Sequence, residues 1–206
     1  MPERLIIFTR YPQPGTAKTR LIPALGEAGA AALSRQMTEH TLAQVFALQQ
    51  AYSVQAEVWF AGGTVDLMRQ WLGQDWCYVA QGEGDLGDRL VRSCRFAFTA
   101  GCQRVVIIGT DCPELSPSLL VQAFTHLHQH DVVLGPAQDG GYYLIGLRQF
   151  TPELFAGVAW STAAVLQQTQ AIATQLGLTV SVLPVLSDVD TPKDLALWER
   201  ISTTPK

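Results

Sequence analysis

The stretch Arg104-Val105-Val106-Ile107-Ile108-Gly109-Thr110-Asp111-Cys112-Pro113 decides the fold of this chain. The branched aliphatics after Arg104 read as a strand buried on both faces. Gly109 lets the backbone turn, and Asp111 follows. Pro113 disfavours helical space for Cys112, so the chain bends there. A carboxylate is thus carried at the carboxyl end of a central strand, the edge of an open α/β sheet where ligands bind. A bare carboxylate in that place favours a divalent cation and, through it, a phosphate-bearing substrate.

Outward from this strand the chain alternates. Strands are predicted at 4–9, 54–60, 76–79, 104–108, 131–134, 142–147 and 179–183. Helices are predicted at 27–50, 65–72, 86–100 and 162–176, and from Ser116-Pro117 and Thr191-Pro192 onward. Ser116 and Thr191 suit the N-cap, proline suits the first turn, and Asp194 suits the positive helix end. Residues 10–17 make a loop with two prolines and a glycine. This order predicts an α/β fold with a mostly parallel sheet and helices on both faces. No repeat or linker divides it, so one domain over 1–202 and a frayed tail at 203–206 are expected.

Composition narrows the class. At 206 residues the core needs no disulfide or zinc to fold. A hydrophobic content of 48% with 16% charged residues describes a globule, not a disordered chain. A net charge of −4 argues against a general nucleic-acid surface. No apolar run is long enough to span a membrane, and 5–8 is too short for a signal segment, so a cytoplasmic protein is expected. Cys77, Cys94, Cys102 and Cys112 form no CxxC pair and read as small core residues. His126, His128 and His130 stand two apart at a helix end, where they share no face and suit the negative helix terminus. No Ser-His-Asp or Cys-His arrangement is legible, which argues against a covalent hydrolase.

Four segments could carry chemistry. The first, Pro14-Gly15-Thr16-Ala17-Lys18-Thr19-Arg20-Leu21, sets two cations after a glycine turn, with Arg10 on the same loop. A lysine point charge and an arginine fork suit a di- or triphosphate; a solvated basic turn fits equally well. The spacing matches neither a Walker loop nor GxGxxG. The second, Gln81 to Leu90, holds three glycines and three acids before a helix. Gly82 and its neighbours would bring backbone amides near a ligand, and Asp85 would either join them or cap the helix. Arg89, Arg92 and Arg95 recur at helical spacing and read first as a solvated face, with a second binding site as the alternative. In the third, Asp139 precedes Gly140-Gly141, beyond a strand expected to neighbour the Asp111 strand; the segment is either a ligand-facing turn or a hairpin. In the fourth, Asp188 and Asp190 flank Val189 and share a face in extended chain; paired carboxylates repel unless a cation sits near them, and helix capping is the other use for Asp190. Trp160 could stack on a base or sugar, though burial is the plainer use.

The combination resembles a known family: Phe8-Thr9-Arg10-Tyr11-Pro12 with Gly15 and Lys18-Thr19-Arg20-Leu21; Gln81-Gly82, Gly84-Asp85-Leu86-Gly87 and Arg89-Leu90; Gly109 to Pro113; Gly135-Pro136 and Asp139 to Leu144; Asp188 to Pro192. It looks like the bacterial glycosyltransferase-like proteins of the nucleotide-diphospho-sugar transferase superfamily, catalogued as a domain of unknown function. The resemblance runs from about 5 to 197. It implies a GT-A fold, a Rossmann-like three-layer α/β sandwich that binds a nucleotide with a divalent metal. The blocks are also similar to nucleotidyltransferases, the Lys18-to-Leu21 loop to phospholactate guanylyltransferases and the Asp-x-Asp-Thr-Pro-x-Asp end to sugar and cofactor cytidylyl- and guanylyltransferases. Carried over by position, the metal ligands of those enzymes fall on Asp111 and Asp190. The usual Gly-x-Gly loop is replaced here by Tyr11-Pro12-Gln13-Pro14-Gly15.

The expectation is therefore a metal-dependent transferase for a nucleotide-linked substrate, first a glycosyltransferase. Mg²⁺ or Mn²⁺ would sit on Asp111 and Asp190, with Asp188 nearby. Lys18 and Arg20, joined by Arg10 and the Gly15 turn, would neutralise phosphate. Gly140, Gly141 and Asp139 would face sugar or acceptor, Asp139 as general base. A nucleotidyltransferase using a nucleoside triphosphate is the alternative, and a non-catalytic nucleotide-binding module the second. Expected partners are a nucleotide sugar or triphosphate and an acceptor, with a homodimer left open.

Overall fold

Strands whose side chains alternate between two apolar cores must lie between two helical layers. The computed structural model describes residues 2–203. In it, β1 (Glu3–Arg10) sends Leu5 and Ile7 into one core and Ile6 into the other. β4 (Arg104–Ile108) does the same, Val106 and Ile108 one way, Val105 and Ile107 the other. That is the burial its unbroken aliphatic run predicts.

Around them lie β2 (Gln55–Ala61), β3 (Cys77–Ala80), β5 (Val132–Pro136), β6 (Tyr142–Leu147) and β7 (Val180–Val182), in the order β3-β2-β1-β4-β6-β5-β7. All neighbours pair in parallel except β6, which runs antiparallel to both β4 and β5. α1 (Ile22–Ala51), α2 (Val65–Leu72) and α4 (Pro117–His126) supply Leu42, Val45, Met68, Leu120 and Phe124 to one core. α3 (Leu86–Thr99) and α5 (Val165–Gln175) supply Leu90, Cys94 and Ala173 to the other. α6 (Leu195–Ser202) packs Leu195 and Trp198 against Leu21, Leu33, Met37 and Val189. The chain is a three-layer α/β sandwich with a mostly parallel sheet.

Several expectations change. α1 starts at Ile22, a turn early, and is broken at Gly26 (φ 69°, ψ 169°). α5 starts at Val165, because Thr162 accepts from Ala164 N–H in a turn that precedes the helix. The last helix opens with a tight 3₁₀ turn, Pro192–Asp194. β5 does not touch β4, since β6 lies between them. Cys77 is exposed while the other three cysteines are buried. Of the tail expected at 203–206, the structure describes Thr203, which donates to Glu199 O at 2.7 Å. Residues 204–206 lie outside the described residues.

Sheet order reverses beside β1, whose two neighbours are β2 and β4. Ligands of such sheets bind at the carboxyl edge of this switch point. Because β6 is antiparallel, its first residues, Tyr142 and Tyr143, open onto the same edge.

Candidate active site

Val189 ties three distant segments together. Its side chain is 0% exposed in the small core beneath α6, which drives a side chain of this size inward by about 1.5–3 kcal/mol. Its N–H donates to Asp111 O at 2.9 Å, and its carbonyl accepts from Lys18 Nζ at 2.6 Å. Inward burial of Val189 turns its neighbours outward, and Asp188 and Asp190 both line the cleft. Lys18 Nζ also lies 2.6 Å from Asp111 Oδ1 and 3.9 Å from Asp190 Oδ1. Arg20 pairs with Asp190 at 2.6 Å. Lys18 is 6% exposed at its side chain, while Asp111 is 59% exposed. The lysine is therefore a buried strut, and the aspartate opens onto solvent.

The cleft has a volume of about 740 Å³ at the carboxyl edge. Arg10, Lys18, Arg20, Asp111, Asp139, Gly141, Asp188 and Asp190 are among the lining residues. Gly15, Gly82, Asp85 and Gly140 are not. Asp85 caps α3 by accepting from Asp88 N–H at 2.9 Å, which makes capping its observed use. Gly82 packs against the Arg92 guanidinium. Gly15 faces the Glu27 carboxylate instead of the cleft. The 137–141 turn is the β5–β6 hairpin, closed by Ala137 N–H to Gly141 O at 3.0 Å. Gly140 has φ +89°, and a Cβ there would lie 2.3 Å from Ala163 O. Its close approach is thus to the protein's own backbone. Asp139 accepts from Gly141 N–H at 2.8 Å and still borders the cleft.

The arginine stripe of α3 is more than a solvated face. Arg92 donates to the carbonyls of Gln81 and Glu83, fixing the glycine turn. Arg89 reaches Gly84 O at 3.1 Å and Gln81 Oε1 at 3.4 Å and lines the cleft. Sequence reading also passed over the floor. Thr9 and Thr38 hydroxyls meet at 3.0 Å, and Thr38 reaches Thr110 at 3.5 Å, joining β1, α1 and the Asp111 turn. Thr38 sits mid-helix, 29 residues from Thr9 and 72 from Thr110, with no local pattern to flag it. Trp160 is half-buried in the cleft wall, edge-on to Tyr142 at 6.5 Å between ring centres. The Asp188 carboxyl is pushed up by burial first and then by Asp139. Burial, followed by Asp111, pushes the Cys112 thiol up.

The donor set suits a hard divalent cation. Two carboxylates converge on one cationic position, which the Lys18 ammonium holds. Among the described residues no group of three or more His, Cys, Asp or Glu side chains is placed to enclose a metal. Mg²⁺-like ions bind in this open fashion, through one or two carboxylates plus water and substrate phosphate.

Comparison with known proteins gives the chain its relatives. A crystal structure from Desulfovibrio desulfuricans G20, described as a candidate nucleotide-diphospho-sugar transferase, is 34% identical, with a TM-score of 0.91 over 100% of this chain and 90% of that one. CMP:2-keto-3-deoxy-manno-octonic acid synthetase in complex with CTP is 13% identical, with a TM-score of 0.59 over 98% of each chain. Glucosyl-3-phosphoglycerate synthase from Mycobacterium tuberculosis, with Mn²⁺, UDP and glucosyl-3-phosphoglycerate, is 12% identical, with a TM-score of 0.59 over 100% of this chain and 81% of that one. The last two share the fold alone. No curated protein sequence matches the chain. A family model matches residues 41–162, and the chain belongs to that family, the uncharacterized proteins conserved in bacteria grouped as DUF2064.

Proposed function

We propose that this chain is a metal-dependent transferase for a nucleotide-linked substrate, and specifically a glycosyltransferase using a nucleotide-diphospho-sugar. The observation that carries the reading is the meeting of Lys18, Asp111 and Asp190 on one point through Val189. The crystallised relative at 34% identity supports the nucleotide-diphospho-sugar class. Asp111 and Asp190 would hold Mg²⁺ or Mn²⁺, with Asp188 beside them. An ion held there would supply Lewis-acid stabilisation of the charge that develops on the leaving diphosphate.

The chain's own residues do the rest. Lys18 and Arg20, released from carboxylate pairing, would turn their charge to the phosphates. An acceptor hydroxyl would enter beside the 139–141 turn and the Trp160 wall, and attack the sugar's anomeric carbon. The carbon–oxygen bond to the diphosphate breaks, and the hydroxyl proton passes to a carboxylate, for which Asp139 is our assignment. Nucleotidyl transfer from a triphosphate is the second reading, favoured by the Lys18-Thr19-Arg20-Leu21 segment and by the CTP complex of one fold relative. Incubation with each donor class separates them. Release of nucleoside diphosphate from a nucleotide sugar is expected; pyrophosphate released from a triphosphate would instead establish nucleotidyl transfer. Neither product, with metal present, would refute both.

A further inference from the structure

The four cations of the cleft divide in two. Lys18 and Arg20 are paired with Asp111 and Asp190. Arg10 and Arg89 line the cleft with no carboxylate among the described residues in ion-pair range of either. Arg89 is not loose. Its Nε donates to Gly84 O at 3.1 Å and its Nη1 to Gln81 Oε1 at 3.4 Å. Gln81 is 5% exposed, and its Nε2 donates to Thr9 O at 3.2 Å and Trp59 O at 2.9 Å. An amide that gives both hydrogens to backbone carbonyls has only its oxygen left to turn toward the arginine. Two strands thereby set the direction of one guanidinium. Arg10 follows Thr9, so both unpaired cations stand on the β1–β2–β3 side.

The cleft is consequently polarised. Asp111, Asp139, Asp188 and Asp190 occupy the β4–β6–β5 side. A guanidinium oriented in advance, bearing unspent donors and no neutralising acid, is built for a bidentate anion. We infer that Arg89, oriented by Gln81 and assisted by Arg10, forms a phosphoryl-binding site across the cleft from the acid cluster. This rests on the proposed transferase reading for its ligand, but not for its chemistry. The phosphoryl group belongs to the nucleotide donor or to a phosphorylated acceptor.

Calorimetric titration of the full chain tests it, using inorganic pyrophosphate, UDP, GDP and glucose 6-phosphate, with uridine and guanosine as phosphate-free controls. Arg89→Met, at a half-buried helix position, is expected to melt as the native chain does. It should weaken binding of the phosphorylated probes about tenfold to a hundredfold and leave nucleoside binding unchanged. Loss confined to UDP and GDP supports the site and assigns it to the donor; loss confined to glucose 6-phosphate supports it and assigns it to the acceptor. Equal affinity of native and variant chains for every phosphorylated probe overturns the inference, as does a native chain that binds none. If native chain binds pyrophosphate through Arg89 but binds UDP and GDP no better than pyrophosphate, the anion site stands and the nucleotide-transferase reading fails.

Discussion

Lys18 stands in the left-handed region, at φ 50° and ψ 46°. Side chains other than glycine rarely hold that conformation, and it costs on the order of 1–3 kcal/mol. Contacts to Val189 O and Asp111 Oδ1 hold it there. Its ammonium fills the position that a divalent ion would share with Asp111 and Asp190, so metal and lysine compete for the same carboxylates. Lys18→Met should therefore bind Mn²⁺ alone about tenfold more tightly, while binding a nucleoside diphosphate more weakly. Unchanged or weaker Mn²⁺ binding, read by water-proton relaxation, would count against the competition. The sequence assigned Lys18 to phosphate and did not foresee its pairing with Asp111 and Asp190. Spacing along the chain cannot show that a residue near the amino terminus meets a carbonyl at 189 and the acids at 111 and 190.

At the scale of elements, local signals and strand pairing fared differently. Periodicity and caps placed α2 at 65–72, β6 at 142–147 and the Ser116-Pro117 start of α4 as the structure has them. Those residues decide their conformation locally. Pairing order was not legible, because the antiparallel insertion of β6 between β4 and β5 depends on a hairpin whose two strands could face either neighbour. Outer-strand attachment was equally hidden. Asp131 accepts from Thr179 Oγ1 at 2.6 Å, from Thr179 N–H at 2.9 Å and from Arg148 at 2.8 Å, fastening the approach to β7. Those bonds, Thr179's first, hold its carboxyl below the usual range. A lowered folded value contributes stability above the unfolded value, about 3.9, and loses it as pH falls through the folded one. Asp131→Asn should cost about 1–3 kcal/mol at pH 7. The difference between the two chains' melting curves should shrink below about pH 4. A gap that stays constant down to pH 2 would show that the charge is not what fastens β7.

For the whole molecule, the sequence was most informative where independent constraints agreed. An aliphatic strand, a glycine turn and a carboxylate together predicted a ligand edge at Asp111, and the cleft opens there. Asp188 and Asp190 were legible as a pair because Val189 between them is apolar and buried. Gly15, Gly82 and Gly140 were expected beside a ligand and lie outside the cleft lining. A glycine permits close approach but does not say whether a ligand or the protein's own backbone approaches, and at Gly140 it is Ala163. Arg89 was weighed as a binding residue but ranked behind a solvated face, because its helix face looks solvated until the Gln81 turn is folded over it. The fold thus gathers acids from two distant segments and a cation from a third at the β1–β4 switch point, and the central claim is that this convergence serves a metal and a nucleotide together.

The most direct test is the affinity of a nucleoside diphosphate, UDP and GDP in turn, measured by calorimetry with and without Mn²⁺ for native chain and Asp111→Asn. Asp111 is more than half exposed at its side chain, so the variant should fold and melt close to the native chain. Native chain should bind at least one of them about tenfold or more tightly when Mn²⁺ is present, and the variant should lose that gain. A metal-dependent gain of equal size in both chains, or none in the native chain, would contradict the claim.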